Sequence, residues 1–249
     1  MTLRLLSYNI RHGGVGRVDA IAAVIRESGP DVVVLQEATR PDVVRSLAER
    51  TGLATHGSHR GQSLGFLSRI PIARSVWRRP LLSRHAFLDL TLGDHDVHIV
   101  GVHLSAVHAA WTERRRLIEL ASLLRTVRAR QHGFHVLAGD FNTLAPGEAL
   151  DVARLPPRLR PLVWLSGGSI RWKTVAAVLA AGYADAWRAR HTDGDGSTFP
   201  TWDPHLRLDY VFAPAPDVAR VTRCEVVTTA GVAAASDHLP LLAELDVSA

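Results

Sequence analysis

Gly139-Asp140-Phe141-Asn142, directly after the apolar run from Phe134 to Ala138, is the stretch on which the reading of this chain turns. An acid and an amide two residues apart at the end of a strand are expected on one face, because side chains alternate along a strand. Ser236-Asp237-His238 is a second polar cluster, here followed by the apolar run Leu239 to Leu242. Two such clusters beside strands, far apart in sequence, imply one site assembled by a sheet scaffold.

Working outward, other strand-like runs also end on polar groups. Leu3 to Asn9 is a short strand ending on an amide. Asp31 to Glu37 is β-branched, lacks alternation, and ends on a carboxylate, the signature of a strand buried on both faces. Val97 to Leu104 alternates and carries His103 near its end, and Arg207 to Phe212 places Asp209 inside a strand. Further strands are expected at Leu64–Ser68, Ile72–Trp77 and Ala86–Leu92. Helices are expected from Arg17 to Ser28, closed by Gly29-Pro30, and from Pro41 to Arg50, where proline suits the first turn. The longest helix is expected over Trp111 to Arg130, with Leu117, Leu120, Ala121, Leu124 and Val127 as its buried stripe and Arg114-Arg115-Arg116 on a solvated face. Strand–helix alternation in both halves indicates α/β layering.

In this order the motifs resemble the exonuclease–endonuclease–phosphatase superfamily of metal-dependent phosphoesterases, which includes pancreatic deoxyribonuclease, abasic-site endonucleases, neutral sphingomyelinases and inositol-phosphate phosphatases. The resemblance runs from Tyr8-Asn9 to Ser236-Asp237-His238 and includes Gly65 to Ile72. It implies a four-layer αββα sandwich of two mixed β-sheets, an α/β (α+β) class, as a single domain over residues 1–249. It also implies roles. Asn9 and Glu37 offer oxygen ligands suited to a hard cation, Mg²⁺ or Mn²⁺, with Asp237 in or next to the metal shell. Asp140 holds and polarises the attacking water, and Asn142 orients it. His238 contacts a phosphate oxygen or acts as base, its ring fixed by Asp209. His103 binds phosphate or protonates the leaving group. The reaction implied is metal-assisted, in-line attack of water on a phosphoester.

Two departures narrow the resemblance. Abasic-site endonucleases typically carry tyrosine where this chain has His103. Deoxyribonuclease-like members orient that histidine with a glutamate, yet no acid occurs between Glu49 and Asp89. His103 is therefore expected to lack an acidic partner and to act as a neutral phosphate-binding group.

The substrate class rests on charge and on one irregular stretch. Net charge is +5 and pI near 10.3, and only Lys173 among the 29 Lys+Arg is a lysine. The net charge and pI suit a polyanionic partner, whereas such an arginine bias more often follows from a GC-rich coding sequence than from selection for phosphate binding. Leu155 to Lys173 sets Trp164 and Trp172 among Arg158, Arg160 and Arg171, on the expected rim of the site. These arginines, with Arg11, are candidate phosphate contacts; the other reading is a loop pinned to the core by its tryptophans. Nucleic acid is the preferred substrate, with a phospholipid (sphingomyelinase-like) or an inositol phosphate as the alternative.

Other classes are less well supported. No apolar run approaches the ~20 residues of a membrane span, and Asn9 leaves no room for a leader upstream. The lone Cys224 lies in a strand-like run and cannot form an internal disulfide. A cytoplasmic monomer without a stable membrane anchor or protein partner is the expectation. A binding module without catalysis would have lost a metal ligand or the Asp209/His238 pair, and neither is missing.

Overall fold

The computed structural model describes residues 1–80, 83–93, 97–130 and 133–248, with residues 129 and 130 described through their backbone only. Two six-stranded mixed sheets form the centre. The first contains β1 (Thr2–Asn9), β2 (Val32–Gln36), β3 (Thr55–Ser58), β4 (Gly65–Ser68), β11 (Val221–Val226) and β12 (Leu241–Asp246), in the order β11-β12-β1-β2-β4-β3. The second contains β5 (Ile72–Arg78), β6 (Phe87–Leu92), β7 (Val97–His103), β8 (Phe134–Asp140), β9 (Tyr183–Asp185) and β10 (Asp209–Pro214), in the order β5-β6-β7-β8-β10-β9.

Side-chain alternation assigns each face. In β1, Leu3 and Leu5 join Val32, Val34, Leu88, Ile99, Val136 and Val211 in the core between the sheets. Leu6 and Tyr8 point the other way, with Val33 and Leu35, onto α1 (Val18–Ser28) and α2 (Pro41–Thr51). On the far side, Val100, Val102, Leu137, Tyr210 and Phe212 pack on α3 (Ala110–Arg130) and α5 (Thr174–Ala180). The layers are therefore helix, sheet, sheet, helix, as the resemblance implied. Each fully buried Leu, Ile or Val contributes about 1.5–3 kcal/mol, which offsets the cost of burying polar groups at one end of the sandwich.

The longest helix corrects two expectations. Arg116 is fully buried rather than solvated, and Leu123, not Ala121, completes the apolar stripe with Leu120 and Val127. Arg116 pairs with Glu113 at 2.9 Å and donates to the carbonyls of Ser105 at 2.7 Å and Val107 at 3.1 Å. Glu113 also accepts the Thr143 hydroxyl at 2.9 Å and the Thr174 amide at 2.6 Å. A charge so deep persists only when paired and hydrogen-bonded throughout. The network ties together the loops that follow β7 and β8.

Candidate active site

The site sits where the inner faces of both sheets run out. Asn9 shares the face of Leu3 and Leu5, His103 that of Val97 and Ile99, Asp140 that of Val136 and Ala138, and Asp209 that of Val211 and Ala213. Register aligns them: His103 pairs with Asp140 across parallel strands, and Asp209 pairs with Asp140 across antiparallel ones. β7 and β8 approach closely because Gly139 has no Cβ; one there would lie 1.9 Å from the Val102 carbonyl oxygen.

Two more side chains arrive by a different route. Glu37 and Asn142 lie one and two residues beyond β2 and β8, so pleat alternation does not place them. Both adopt left-handed backbone conformations, with φ of 57° and 53°. Arg11 and His12 do likewise, so four of the five non-glycine positive-φ residues among the described ones cluster here. Strained backbone of this kind persists where the surroundings over-determine it.

Asp140 is the hub. Its Oδ2 accepts from Asn9 Nδ2 and Asn142 Nδ2, each at 3.0 Å, and its Oδ1 accepts the Asn142 amide at 2.8 Å. Nε2 of His103 lies 3.7 Å from Oδ2, and Nε2 of His238 lies 4.0 Å from it. His238 Nδ1 meets Asp209 Oδ2 at 2.9 Å. Burial disfavours the His238 imidazolium, but the Asp209 charge and hydrogen bond, aided by Asp140 and Asp237, raise it to about 10. Burial, then the Asp209 charge, raises Asp140 to about 7. Burial and the neighbouring His85, His238 and Arg84 push His103 well down.

Asp140, Asp209 and His238 each bring one donor atom within 4.8 Å of the others, a group that could hold a metal ion. In that trio, however, His238 and Asp209 are engaged with each other. Glu37 lies on the more open side, with Oε1 at 3.5 Å from Asn9 Nδ2 and Oε2 accepting the His12 amide at 2.5 Å. Asn9 turns its nitrogen toward the carboxylates, its Oδ1 accepting the Arg11 amide at 2.9 Å. Ser236 ties the last cluster to the first, its hydroxyl donating to the Asn9 carbonyl at 2.6 Å. The donors on this side are the Glu37 carboxylate oxygens and, with its amide turned over, Asn9 Oδ1, the oxygen set a hard divalent cation prefers.

The candidate arginines divide. Arg11 pairs with Asp237 at 3.3 Å, at the edge of the site. Arg160 spends its guanidinium on the carbonyls of Leu155 and Ala153, at 2.9 and 2.7 Å. Arg158 and Arg171 are exposed. Arg171 lines a groove of about 310 Å³ with Arg114, Lys173, Ser166 and Ser169. Of the two tryptophans, Trp172 is half-buried against His108, whereas Trp164 is 75% exposed on α4 (Arg160–Leu165).

Three residues of this end were not picked out from the sequence. Ser63 meets Nδ1 of His103. His85 stacks on the His103 ring, centroids 4.6 Å apart and planes 2° from parallel. Trp202, 67% exposed, packs edge-on against Phe199, whose ring lies 4.8 Å from that of His238.

The family model described as Endonuclease/Exonuclease/phosphatase family matches residues 6–238. Among solved structures, the fold is similar to an AP endonuclease from Archaeoglobus fulgidus, with TM-score 0.76 and 16% identity over 98% of this chain and 100% of that one. It is similar to the 3′ phosphatase NExo from Neisseria bound to a product DNA hairpin, with TM-score 0.73 and 19% identity over 98% and 99%. An endonuclease/exonuclease/phosphatase from Beutenbergia cavernae gives TM-score 0.68 and 23% identity over 99% of this chain and 72% of that one. No curated protein matches the chain. These structural likenesses show the fold, whereas the family match spans nearly the whole sequence. The chain therefore belongs to the endonuclease/exonuclease/phosphatase family of phosphoester hydrolases, whose enzymes use divalent metals.

Proposed function

We propose that this protein is a phosphodiesterase that cleaves nucleic acid, with Glu37, Asn9 and Asp237 holding a Mg²⁺ or Mn²⁺ ion. The observation that carries the reading is the convergence of Asp140, Asp209, His238, Asn142 and His103 on one point at the sheet ends. When bound, the cation supplies charge neutralisation at the phosphate and a more acidic water. Asp140, steadied on both oxygens, accepts a proton from the attacking water. Asn142, whose amide also donates to the Leu104 carbonyl at 3.1 Å, keeps that carboxylate aimed. His238, held positive by Asp209, donates to a phosphate oxygen as negative charge builds there. NExo, a fold neighbour, was solved with a DNA product, which agrees with this substrate class.

Trp202 supports nucleic acid over a small soluble ester. An exposed indole two rings from His238 offers a stacking surface for a base, worth about 1–3 kcal/mol. The exposed Arg158, and Arg114, Arg171 and Lys173 of the groove, would supply phosphate contacts to a nucleic-acid chain. Binding to single-stranded DNA or RNA should then weaken with added salt, by a log–log slope of about −0.7 per phosphate contact. Neutralising Arg114, Arg158 and Arg171 together should flatten that slope. Trp202→Ala should lower affinity with the slope unchanged, and turnover of bis-p-nitrophenyl phosphate should hold in both variants. Salt-insensitive binding, or an enzyme that hydrolyses sphingomyelin or inositol polyphosphates and spares DNA and RNA, overturns the nucleic-acid reading. The exposed Trp164 and Leu165 then become a lipid contact.

Glu37→Gln tests the cation assignment. The amide keeps the shape and loses the charge, so Mg²⁺ affinity should fall at least about tenfold. The thermal stabilisation that the ion gives should fall with it. A wild-type Mg²⁺ titration curve in the variant, by melting and by turnover, removes Glu37 from the metal site.

A further inference from the structure

Ser63 lies in the loop before β4, nearly fully buried, and its hydroxyl stands between the proposed metal ligand Glu37 and the ring of His103. The oxygen accepts the Glu37 amide N–H at 3.3 Å. The same oxygen is in hydrogen-bond contact with His103 Nδ1. A serine hydroxyl has one hydrogen to give. Glu37 N is itself a donor and cannot receive it. Among the described residues Nδ1 is the one other side-chain partner of this hydroxyl, so the hydrogen goes there. Left undirected, a buried O–H would cost about 1–3 kcal/mol.

The opposite edge of the ring gives the same assignment independently. Nε2 faces Asp140 Oδ2 at 3.7 Å, and a carboxylate oxygen calls for an N–H. His85, stacked flat at 4.6 Å, keeps the imidazole from turning its edges around. From these contacts we infer that Ser63 is a positioning residue that fixes His103 as the Nε2–H tautomer and makes it a neutral hydrogen-bond donor to a phosphate oxygen.

This selects between the two roles open for His103. A neutral imidazole offers its N–H for hydrogen bonding but does not release it to a leaving group. Proton transfer is left to Asp140 and His238. A glutamate in the place of Ser63 would accept from Nδ1–H and favour the charged ring, as Asp209 does for His238, and a charged ring has a proton on Nε2 that it can release. The absence of an acid between Glu49 and Asp89 thus has a chemical consequence, and the serine supplies the partner that the sequence lacked. The role at phosphate rests on the phosphodiesterase reading; the tautomer does not.

The test is a long-range ¹H–¹⁵N spectrum of the imidazoles in metal-free full-length protein, with His103 assigned by difference from His103→Gln. A protonated Nε2 and a bare Nδ1 are expected. A proton on Nδ1 overturns the inference, whatever the enzyme hydrolyses. Ser63→Ala should blur the tautomer and lower kcat by roughly 10- to 100-fold with KM little changed, the usual scale for losing a histidine's orienting partner. Ser63→Thr keeps the hydroxyl and should restore both. If Ser63→Ala leaves the spectrum and kcat untouched, Ser63 positions nothing. If Ser63→Ala does not fold, the wild-type spectrum and Ser63→Thr still decide. A correct tautomer in a protein inert on every phosphoester would sink the proposed function and leave this inference standing.

Discussion

His238→Ala and Asp209→Asn are each expected to lower kcat by about 10²- to 10⁴-fold, with the double variant little worse than the worse single. The two side chains share one hydrogen bond of 2.9 Å and act as a unit, and residues acting as a unit are strongly non-additive. Asp209→Asn removes the charge that keeps His238 protonated; burial, the opposing influence, then prevails and the imidazole turns neutral. Stability gives a second readout. The folded-state value of His238, about 10, lies above its ordinary 6.5, so the folded protein binds this proton more tightly. That contribution is fully present below pH 6.5 and is lost as pH rises through 10. In the presence of chelator, wild type should therefore lose more melting temperature over this window than Asp209→Asn does. Losses that multiply in the double variant, or identical pH slopes, would show that the pair is not coupled.

How much of this site was legible in the sequence depended on how each side chain is delivered. Asn9, His103, Asp140 and Asp209 are carried by pleat alternation at strand ends, and a polar residue closing an apolar run is readable directly. Glu37 and Asn142 were named, but their geometry depends on left-handed backbone just past the strands, which composition does not reveal. Ser63 was invisible for a plainer reason. A serine in a loop is common, and its value comes only from where Glu37 N and His103 Nδ1 happen to meet it. A signal did exist, since a histidine with no acid available still needs a partner for its second nitrogen.

The arginines were the hardest to read. A run of three on a helix suggests a solvated face, and two of them are exposed, yet Arg116 is drawn inward by Glu113 and by the carbonyls of Ser105 and Val107. Arg160 and Arg171 are alike in sequence context, but one braces its own loop while the other faces a groove. Arginine carries five donors on a long stem, so backbone carbonyls within reach compete with any ligand. The long strands and the first three helices were recovered because the two periodicities differ, whereas the short β3, β9, α4 and α5 were not; the destination of a long charged side chain has no periodicity to betray it.

Asp140→Asn is the other change expected to have a very large effect, a loss in kcat of roughly 10³-fold or more. Three N–H groups converge on this carboxylate, from Asn9, from the Asn142 side chain and from the Asn142 backbone. An amide in its place presents its own NH₂ to one of those donors and cannot take up a proton from water. The variant should bind a non-hydrolysed diester nearly as wild type does, since what it loses is chemistry rather than phosphate contact. Its pH–stability profile discriminates further. Burial and the Asp209 charge raise folded Asp140 to about 7, above its ordinary value near 4. The folded state therefore holds this proton more tightly, and the associated stability is present at pH 4 and lost as pH rises through 7. Melting of the metal-free protein between pH 4 and 8 should show that decline in wild type and much less of it in Asp140→Asn. Full turnover in the variant removes Asp140 from the chemistry. Parallel melting curves would mean that its carboxyl is not held protonated by the fold, and that the proton it is proposed to take from water has no tuned acceptor.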